Sequence, residues 1–374
     1  LSRGLGDVYK RQGDTDTFTV VLDAQPDSNV VVAISVSDSS ETSVNSPLTF
    51  TSANWDTAQV VTVTGVDDDI IDGTINSTIT VTIVDAISDD QFDAVADQTV
   101  SVSTTDDDVA GFTVSETEGS TGVDESGDTD IITVVLNAQP ASDVVITVTS
   151  SDTGEATVTS PLTFTSANWD TAQVVTVTGV DDDLVDGTET STMTISIVDE
   201  ASDNNFDAVA DQTVSVSTTD DDVAGFTVSE PGGSTTVTEA GDTDTFTVVL
   251  NAQPSSNVVL SISSSDTGEA TVTSTLTFTS ANWDTAQVVT VTGVDDDLID
   301  GTIASTVTVS VNDAASDNNF DAVADQTVTA STTDDDVAGF TIVELDGSTE
   351  VDESGDTDTF TVVLDAQPDS DVVL

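Results

Sequence analysis

Runs of aspartate recur along the chain, and carboxylates at this density are the residues most able to do chemistry. In one run Asp186 follows three residues after the triplet Asp181, Asp182 and Asp183, and a second triplet begins at Asp220. Ca²⁺ takes six to eight oxygen ligands at about 2.3–2.6 Å, whereas Mg²⁺ keeps its waters in a stricter octahedron. Zn²⁺ favours His or Cys, and the sequence contains neither. The pattern favours calcium binding, provided that the fold brings the runs together.

The charge balance indicates that these acids need partners from outside the chain. The 374 residues include 71 acidic and three basic residues, for a formal net charge of −68. The basic residues Arg3, Lys10 and Arg11 all precede residue 13, so no side-chain salt bridge can form within the rest of the chain. Like charges at about 5 Å repel by roughly 1–3 kcal/mol, so metal ions or salt must neutralise the clusters. Nucleic acid and anionic membranes are disfavoured partners, because phosphates require Lys and Arg.

The chain is organised as a repeat of 114 residues. Gly-Asp-Thr-Asp begins at Gly13, Gly127, Gly241 and Gly355, each 114 residues after the last. A tryptophan recurs with the same period inside Phe-Thr-Ser-Ala-Asn-Trp-Asp-Thr-Ala-Gln-Val-Val-Thr-Val-Thr-Gly-Val-Asp-Asp-Asp. A period this long corresponds to a whole domain rather than to one turn of a solenoid.

The boundary between repeats falls where an acidic triplet is followed by Val-Ala-Gly-Phe. Residues 1–12 differ in composition from the rest, contain the only Tyr and resemble translated sequencing-adapter read-through, so they are excluded from the fold prediction. We expect a non-native segment at 1–12, a first repeat lacking its first strand at 13–108, complete repeats at 109–222 and 223–336, and a truncated repeat at 337–374. The last segment has too few strands to bury a core, so we expect it to be poorly held.

Each repeat reads as an all-β sandwich. Short Val/Thr/Ile runs alternate with period two between Asp, Gly, Ser, Asn and Pro clusters, which is typical of antiparallel sandwiches. Helix is improbable because β-branched residues dominate. The pattern predicts tandem seven-stranded, Ig-like domains arranged as a rod. In the second repeat the predicted strands A to G lie near 111–116, 129–137, 143–150, 156–165, 172–180, 188–198 and 212–218.

Strand parity predicts where the acids collect. If successive strands run up and down, strands A, C, E and G end at the pole where B, D and F begin. That pole also receives Asp124 and Glu125, which are not included among the predicted ligands. The predicted metal-binding residues are Asp38, Asp67, Asp68, Asp69, Asp72, Asp106, Asp107 and Asp108 in the first repeat; Glu116, Asp152, Asp181, Asp182, Asp183, Asp186, Asp220, Asp221 and Asp222 in the second; and Glu230, Asp266, Asp295, Asp296, Asp297, Asp300, Asp334, Asp335 and Asp336 in the third.

The repeats resemble Calx-β domains, the β-sandwiches of sodium–calcium exchangers and of tandem arrays on bacterial surface proteins. The matching residues are Gly225-Phe-Thr-Val-Ser-Glu230, the acidic run Asp295-Asp-Asp-Leu-Ile-Asp300 and the closing triplet at Asp334. The resemblance implies that Glu230, Asp266, Asp295, Asp296 and the closing triplet bind calcium, although many members bind no ion. The family often has a further Glu after these acids, where this chain has Ile75 and Ile303, and only the second repeat has Glu189. The number of ions per site therefore stays open.

Other functions are weaker expectations. Paired carboxylates could act as the acid and base of a glycosidase, but one catalytic pair would then recur in every repeat, so we expect no enzyme. Trp169 or the Thr-rich strands could bind a sugar, another surface or ice, although Trp in a sandwich is more often part of the core. The acids could also form the solvated surface of a halophilic protein without a specific metal site.

The combined prediction is a non-catalytic extracellular stalk or adhesin spacer, stiffened by Ca²⁺ at the poles between domains. The sequence has no cysteine, so stiffness must come from something other than disulfides. No apolar run approaches the roughly 18 residues of a membrane span, so we expect no membrane insertion. The expected partners are calcium ions, the neighbouring repeats of the same chain and a cell-surface or polysaccharide target, bound through a tip domain that is missing from this sequence.

Overall fold

The computed structural model describes residues 8–11, 13–345 and 347–374. The described residues form β-strands joined by loops and short 3₁₀ helices, as the β-branched composition predicts. Of the segment interpreted as non-native, residues 1–7 and 12 lie outside the described residues. The strands of the first repeat are β1 (Val8–Arg11), β2 (Thr15–Val20), β3 (Val30–Val36), β4 (Thr42–Val44), β5 (Leu48–Phe50), β6 (Gln59–Gly65), β7 (Thr74–Ile83) and β8 (Gln98–Thr105).

The two complete repeats have matching strands. The second repeat contains β9 (Phe112–Glu116), β10 (Thr121–Asp124), β11 (Thr129–Leu136), β12 (Val144–Ser150), β13 (Ala156–Val158), β14 (Leu162–Phe164), β15 (Gln173–Gly179), β16 (Thr188–Ile197) and β17 (Gln212–Thr219). The third contains β18 (Phe226–Ser229), β19 (Thr235–Thr238), β20 (Thr243–Leu250), β21 (Val258–Ser264), β22 (Ala270–Val272), β23 (Thr275–Phe278), β24 (Gln287–Gly293), β25 (Thr302–Val311) and β26 (Gln326–Thr333). The 3₁₀ helices are Asp85–Ile87, Asp90–Phe92, Asp199–Ala201, Asn204–Phe206, Asp313–Ala315 and Asn318–Phe320.

Each complete repeat is a sandwich of two sheets, which confirms the predicted fold class. In the second repeat the sheet orders are β13-β15-β11-β9 and β10-β17-β16-β12-β14, and the third repeat has the same orders. All seven predicted strands are present, and strand D is divided between the two sheets as β13 and β14. The prediction did not include β10, which follows strand A (β9) in the other sheet, after Glu118 and Gly119 adopt positive φ angles of 91° and 83° and turn the chain across. In the third repeat β19 runs parallel to β26, and in the first repeat β1 runs parallel to β8.

Alternating side chains from both sheets form a separate apolar core in each of the first three repeats. In β11, Ile132, Val134 and Leu136 are buried while the intervening residues are at least partly exposed. In β12, Val144 and Ile146 face them from the other sheet and are fully buried. Because successive residues of a strand point to opposite faces, this alternation is expected for a sandwich in which each sheet has one solvent-exposed face.

The first repeat lacks a counterpart of β9 among its described residues. Its smaller sheet is β2-β6-β4, whereas the equivalent sheets of the next two repeats have a fourth strand at the edge of β11 or β20. The backbone of Val8–Arg11 pairs with β8, in the position that β10 and β19 occupy in the later repeats. The described part of the segment that was excluded from the fold prediction therefore forms a strand.

The residues after the third repeat form a single hairpin of β27 (Phe340–Glu344) and β28 (Phe360–Leu364). Its apolar side chains are exposed, with Phe340 at 51% and Phe360 at 53%, while their counterparts Phe226 and Phe246 are buried at 2% and 0%. The hairpin therefore has no core of its own.

The chain divides into two compact units. The first comprises residues up to Val123, Gly127–Val180 and Thr190–Ser217, and the second comprises Asp124–Ser126, Asp181–Glu189 and Thr218–Leu374. The three acidic loops of the second repeat thus belong to the unit that contains the third repeat. Among the described residues, no helix has the length and apolar character that crossing a membrane requires.

Candidate metal centre

The first aspartate of each closing triplet holds two loops together. In the second repeat, Asp220 Oδ2 accepts hydrogen bonds from the backbone N–H groups of Asp186 at 3.0 Å and Gly187 at 2.8 Å, and its Oδ1 accepts one from Asp222 at 2.7 Å. Asp106 in the first repeat accepts the equivalent three bonds, and Asp334 in the third accepts those from Gly301 and Asp336. These backbone donors lower the pKa of Asp334. The triplet is therefore fixed against the acidic loop that follows the predicted strand E.

In the third repeat, four acids converge around Glu239, which directly follows β19. Carboxylate oxygens of Glu239, Asp296 and Asp336 lie within 4.8 Å of one another. Oxygens of Glu239, Glu269 and Asp300 form a second group with the same limit. Glu239 belongs to both groups, so it lies at the centre of the cluster.

The Glu239 carboxylate is buried without a counter-charge. Its side chain is 1% exposed, and neither oxygen accepts a hydrogen bond of ordinary geometry from the described residues. Burial, followed by the negative charge of Asp334, raises the pKa of Glu239 to about 7, and the backbone amide of Asp335 offsets only part of this effect. An isolated buried carboxylate is costly, so this position favours either a proton or a cation.

The pKa values of two neighbouring acids are raised as well. Burial raises the pKa of Glu269, and the charges of Asp300 and Asp296 add to the effect. Burial and Asp297 raise the pKa of Asp336, whose Oδ2 also lacks a hydrogen-bond partner in the described structure. Each raised pKa indicates that the charged form of the carboxyl group has no nearby positive charge to stabilise it. A bound cation would remove the cost at all of these groups together.

The oxygen-only donor set fits calcium. Each group of three carboxylates offers up to six oxygen ligands, as Ca²⁺ requires, and the chain offers no His or Cys for a softer metal. Glu239 would hold an ion together with Asp296 and Asp336, or together with Glu269 and Asp300. The buried oxygens of Glu239 would be ligands on the protein side of the site.

The second repeat has an equivalent cluster, formed by Glu125, Asp220 and Asp222, whose carboxylate oxygens lie within 4.8 Å of one another. Glu125 is 1% exposed. Burial and Asp220 raise the pKa values of both Asp186 and Asp222. The arrangement around Glu239 is therefore repeated one period earlier.

The first repeat differs at the central position. The residue one period before Glu125 is Arg11. The remaining acids still interact: burial and the charges of Asp72 and Asp68 raise the pKa of Glu41, and burial and Asp106 raise that of Asp108 to about 6. This repeat thus retains the outer acids without the central glutamate.

The structure does not bring Glu116 and Glu230 to these clusters. Glu116 is exposed and lies opposite Ile132, in the middle of β11, where it accepts a hydrogen bond from Thr121 Oγ1 at 3.0 Å. Glu230 makes the same bond with Thr235 at 3.1 Å. The parity prediction placed the end of strand A at the acidic pole, but it is β10 and β19 that end there.

A second group of predicted ligands accepts backbone hydrogen bonds within turns. Asp152 and Asp266 each accept a hydrogen bond at 2.9 Å from the glycine two residues later, and Asp38 accepts one at 3.1 Å from the N–H of Ser40. The Ser40 hydroxyl and N–H lower the pKa of Asp38. The buried acids of these segments are instead Glu41, Glu155 and Glu269.

The three aspartates of each triplet after the predicted strand E have different surroundings. Asp67, Asp181 and Asp295 are exposed. Asp68, Asp182 and Asp296 each accept a hydrogen bond from the N–H two residues later, at 2.6–3.0 Å. The backbone carbonyls of Asp69, Asp183 and Asp297 accept hydrogen bonds from Gln139, Gln253 and Gln367 of the following repeat, at 2.6–2.7 Å. In the closing triplets, the middle residues Asp107, Asp221 and Asp335 are exposed.

The predicted ligands did not include the buried glutamates Glu125, Glu239 and Glu269, although the structure places Glu125 and Glu239 in the acidic clusters and Glu269 beside Glu239. Glu125 and Glu239 occur in the same context, Glu-(Ser/Ala)-Gly-Asp-Thr-Asp, whereas the residue before them changes from Asp124 to Thr238. The glutamate is unchanged between the two repeats although the residue before it changes, and this was the signal that could have identified it. Glu155 and Glu269 are likewise shared, within Thr-Gly-Glu-Ala-Thr-Val.

The tryptophans take part in packing. Trp55, Trp169 and Trp283 are partly buried against the apolar cores of their repeats. Their backbone carbonyls accept hydrogen bonds at 3.1 Å from Leu22, Leu136 and Leu250 respectively. This placement supports a structural role for the tryptophans over sugar binding.

Comparisons with known proteins do not establish a family. No family model and no curated protein matches the sequence. Among solved structures, CBD12 from CALX1.2 is 13% identical, over 57% of this chain and 97% of that one, with a TM-score of 0.24. The calcium binding domain CBD12 of CALX1.1 is 15% identical, over 51% and 77%, with a TM-score of 0.25. Domains 4–9 of the surface layer protein SbsC are 18% identical, over 86% and 48%, with a TM-score of 0.25. Values this low carry no functional conclusion.

Proposed function

We propose that this chain is a non-catalytic, calcium-binding segment of an extracellular stalk or adhesin. Each complete sandwich binds Ca²⁺ through the acids at one pole, and the ion stiffens the connection to the next repeat. The chain thereby spaces a binding domain from a surface.

The observation that carries the proposal is the environment of Glu239. A carboxylate with 1% exposure, no ordinary hydrogen bond and four acidic neighbours is unfavourable unless a cation joins it. No Lys, Arg or His occurs beyond residue 11, so the chain cannot supply that cation itself. Calcium fits the number and type of the available oxygens.

Hydrogen bonds from the same loop to the following repeat support the role in stiffening. Asp296 and Asp300 belong to the loop in which the Asp297 carbonyl accepts the N–H of Gln367 at 2.6 Å. In the loop one period earlier, the N–H of Val185 donates to Gln253 O at 3.1 Å, and Val185 O accepts from Asn319 Nδ2 at 2.6 Å. An ion that orders this loop therefore also orders the groups that hold the next repeat.

Thermal melts of the whole chain test the proposal. They compare EDTA, calcium, and magnesium or sodium chloride at matched ionic strength. A ligand that binds only the folded state stabilises it by about 2.7 kcal/mol at a hundredfold excess over its dissociation constant. We expect calcium alone to raise the melting temperature by several degrees. An equal effect of every salt would show instead a halophilic surface without a specific site.

A matched pair of variants locates the effect. Glu239→Gln removes the charge at the centre of the cluster, whereas Glu230→Gln removes one from an exposed position directly after β18. We expect the first variant to lose the calcium response of the third repeat and the second to keep it. Equal responses of the two variants would contradict the proposed site.

A further inference from the structure

The Gly-Asp-Thr-Asp motif that marks the 114-residue period begins two residues after the central glutamate of each complete repeat. In the third repeat the motif runs from Gly241 to Asp244 and follows Glu239. Among the described residues, neither aspartate of the motif belongs to a group of carboxylates that could hold an ion. The hydrogen bonds of the motif indicate that it contributes something other than ligands.

The first aspartate of the motif attaches the turn that carries Glu239 to the smaller sheet. The carbonyl of Asp242 accepts the N–H of Gly293, at the end of β24, at 3.1 Å. A Cβ at Gly293 would lie 2.0 Å from the carbonyl oxygen of Thr238, so glycine is required for this close approach. Glu239 donates its own N–H to the carbonyl of Thr333, at the end of β26, at 3.1 Å. Because β24 and β26 belong to different sheets, the central glutamate lies between the two sheets at the end of the sandwich.

The second aspartate of the motif holds the strand that leads to the central glutamate. That strand, β19, is the outermost strand of its sheet and pairs with β26. The N–H of Thr236, within β19, donates to Asp244 Oδ2 at 2.9 Å. Asp244 Oδ1 accepts the N–H of Thr245 at 2.7 Å, which fixes the carboxylate within β20 of the other sheet. A single side chain thereby joins β19 to the opposite sheet.

The second repeat has the same contact. Asp130 Oδ2 accepts the N–H of Gly122, within β10, at 3.0 Å. β10 leads directly to Glu125, just as β19 leads to the central glutamate of the third repeat. The strand residue changes from Gly122 to Thr236 between the repeats, and the bond is kept because it involves only the backbone N–H of that residue.

We propose that Asp130 and Asp244 are positioning residues of the two calcium sites, and that they set the calcium affinity of their repeats without being ligands. The proposal rests on the calcium-binding function proposed above and adds how the central glutamate is held in place. An outermost strand opens more readily than a strand with two neighbours. Opening of β19 would move Glu239 away from the other acids, and the bond to Asp244 opposes this movement. Residues that orient a metal ligand in this way typically change metal affinity by about 10- to 100-fold.

Calorimetric calcium titrations of whole-chain variants at pH 8 test the proposal. The variant Glu125→Gln retains the site of the third repeat, and in this chain Asp244→Ala should weaken calcium binding roughly tenfold or more. Asp130→Ala removes the same charge from the other repeat and should leave this binding unchanged. In the chain with Glu239→Gln the two effects should be exchanged. Equal binding after Asp244→Ala and Asp130→Ala overturns the positioning role alone, whereas absence of calcium binding by the unmodified chain overturns the proposed function together with this inference.

Asp244→Asn separates the hydrogen bonds of this side chain from its charge. The variant loses the same charge as Asp244→Ala but keeps one oxygen acceptor, so its calcium affinity should lie between those of the alanine variant and the unmodified chain. Hydrogen exchange in EDTA gives a readout that needs no calcium, and the amides of Thr235–Thr238 should exchange faster after Asp244→Ala than after Asp130→Ala. Equal calcium affinities of the asparagine and alanine variants would assign the effect to charge, and unchanged exchange would show that β19 is held without Asp244. Either result overturns the proposal.

Discussion

A carboxylate oxygen of Glu239 lies within 4.8 Å of one from Asp336, because the strands that precede these residues run in parallel. Thr235–Thr238 pairs with Ala330–Thr333 in parallel register, so both strands end at the same pole. Each strand is followed by an acid, Glu239 directly and Asp336 at the end of the closing triplet. This pairing is what assembles the candidate calcium site.

Glu239→Gln should stabilise the chain in EDTA, because it removes a buried charge that lacks a partner. The same variant should lose stabilisation in calcium. A change of about 1 kcal/mol moves the melting temperature by roughly 2–8 °C, which calorimetry resolves. Glu239→Gln that is less stable than the unmodified chain in EDTA would show that the carboxylate has a structural partner other than a cation.

The pH dependence in EDTA should follow the raised pKa values. Glu239 has a pKa of about 7 in the folded state against an ordinary value of 4.5, and that of Asp108 is about 6 against 3.8. The folded state therefore binds more protons than the unfolded state between these values. The associated stability is fully present below about pH 4 and is lost as the pH rises through 7.

Calcium should reverse this trend, because its ligands must be deprotonated. Melts at pH 5 and pH 8, with and without calcium, provide the measurement. The increase in melting temperature on adding calcium should be larger at pH 8. A calcium response that is larger at pH 5 would exclude a site built from these carboxylates.

Two neighbouring residues of one triplet should behave differently. Asp334→Asn should destabilise the chain even in EDTA, because a charged acceptor of the N–H groups of Gly301 and Asp336 is lost. Asp335→Asn, at an exposed position, should change stability little. Chemical denaturation of both variants makes the comparison, and similar losses of stability would contradict the structural role of Asp334.

Replacing Asp220, Asp221 and Asp222 together by Asn should remove the effect of calcium on the connection between the second and third repeats. Asp220 and Asp222 belong to the candidate site, and Asp222 ends the second repeat. Small-angle scattering with and without calcium reports the stiffness of the chain. If the variant and the unmodified chain respond to calcium with the same change in scattering, the stalk interpretation fails.

An isolated 337–374 peptide should be cleaved rapidly by proteases, because its hairpin buries no core. Limited proteolysis of the peptide, in parallel with the same digestion of residues 109–336, gives the comparison. Resistance of the peptide would show that the hairpin is stable without further strands.

The sequence predicted the fold because one signal occurred in several copies. The 114-residue period and the alternation of Val and Thr in runs such as Thr129–Leu136 identify domains and strands without any long-range information. It did not predict β10, which follows strand A in the other sheet, since the positive φ at Glu118 in the intervening turn depends on the packing around that turn.

The strand order also explains which of the acids in the candidate site were predicted from the sequence. The loop after strand E and the closing triplet flank long, unbroken strands, so parity placed Asp296 and Asp336 correctly at one pole. The strand that leads to Glu239 was not predicted, so parity placed Glu230 rather than Glu239 at that pole. Asp266 was selected in place of Glu269 because sequence alone cannot show which acid of a turn accepts the backbone N–H and which is buried.

Calorimetric titration of the chain with calcium, after removal of bound metal and at pH 8, tests the central claim most directly. We predict saturable binding by the unmodified chain, and loss of the share that belongs to the third repeat in Glu239→Gln but not in Glu230→Gln. Absence of binding, or identical binding by the two variants, would contradict a calcium site at Glu239.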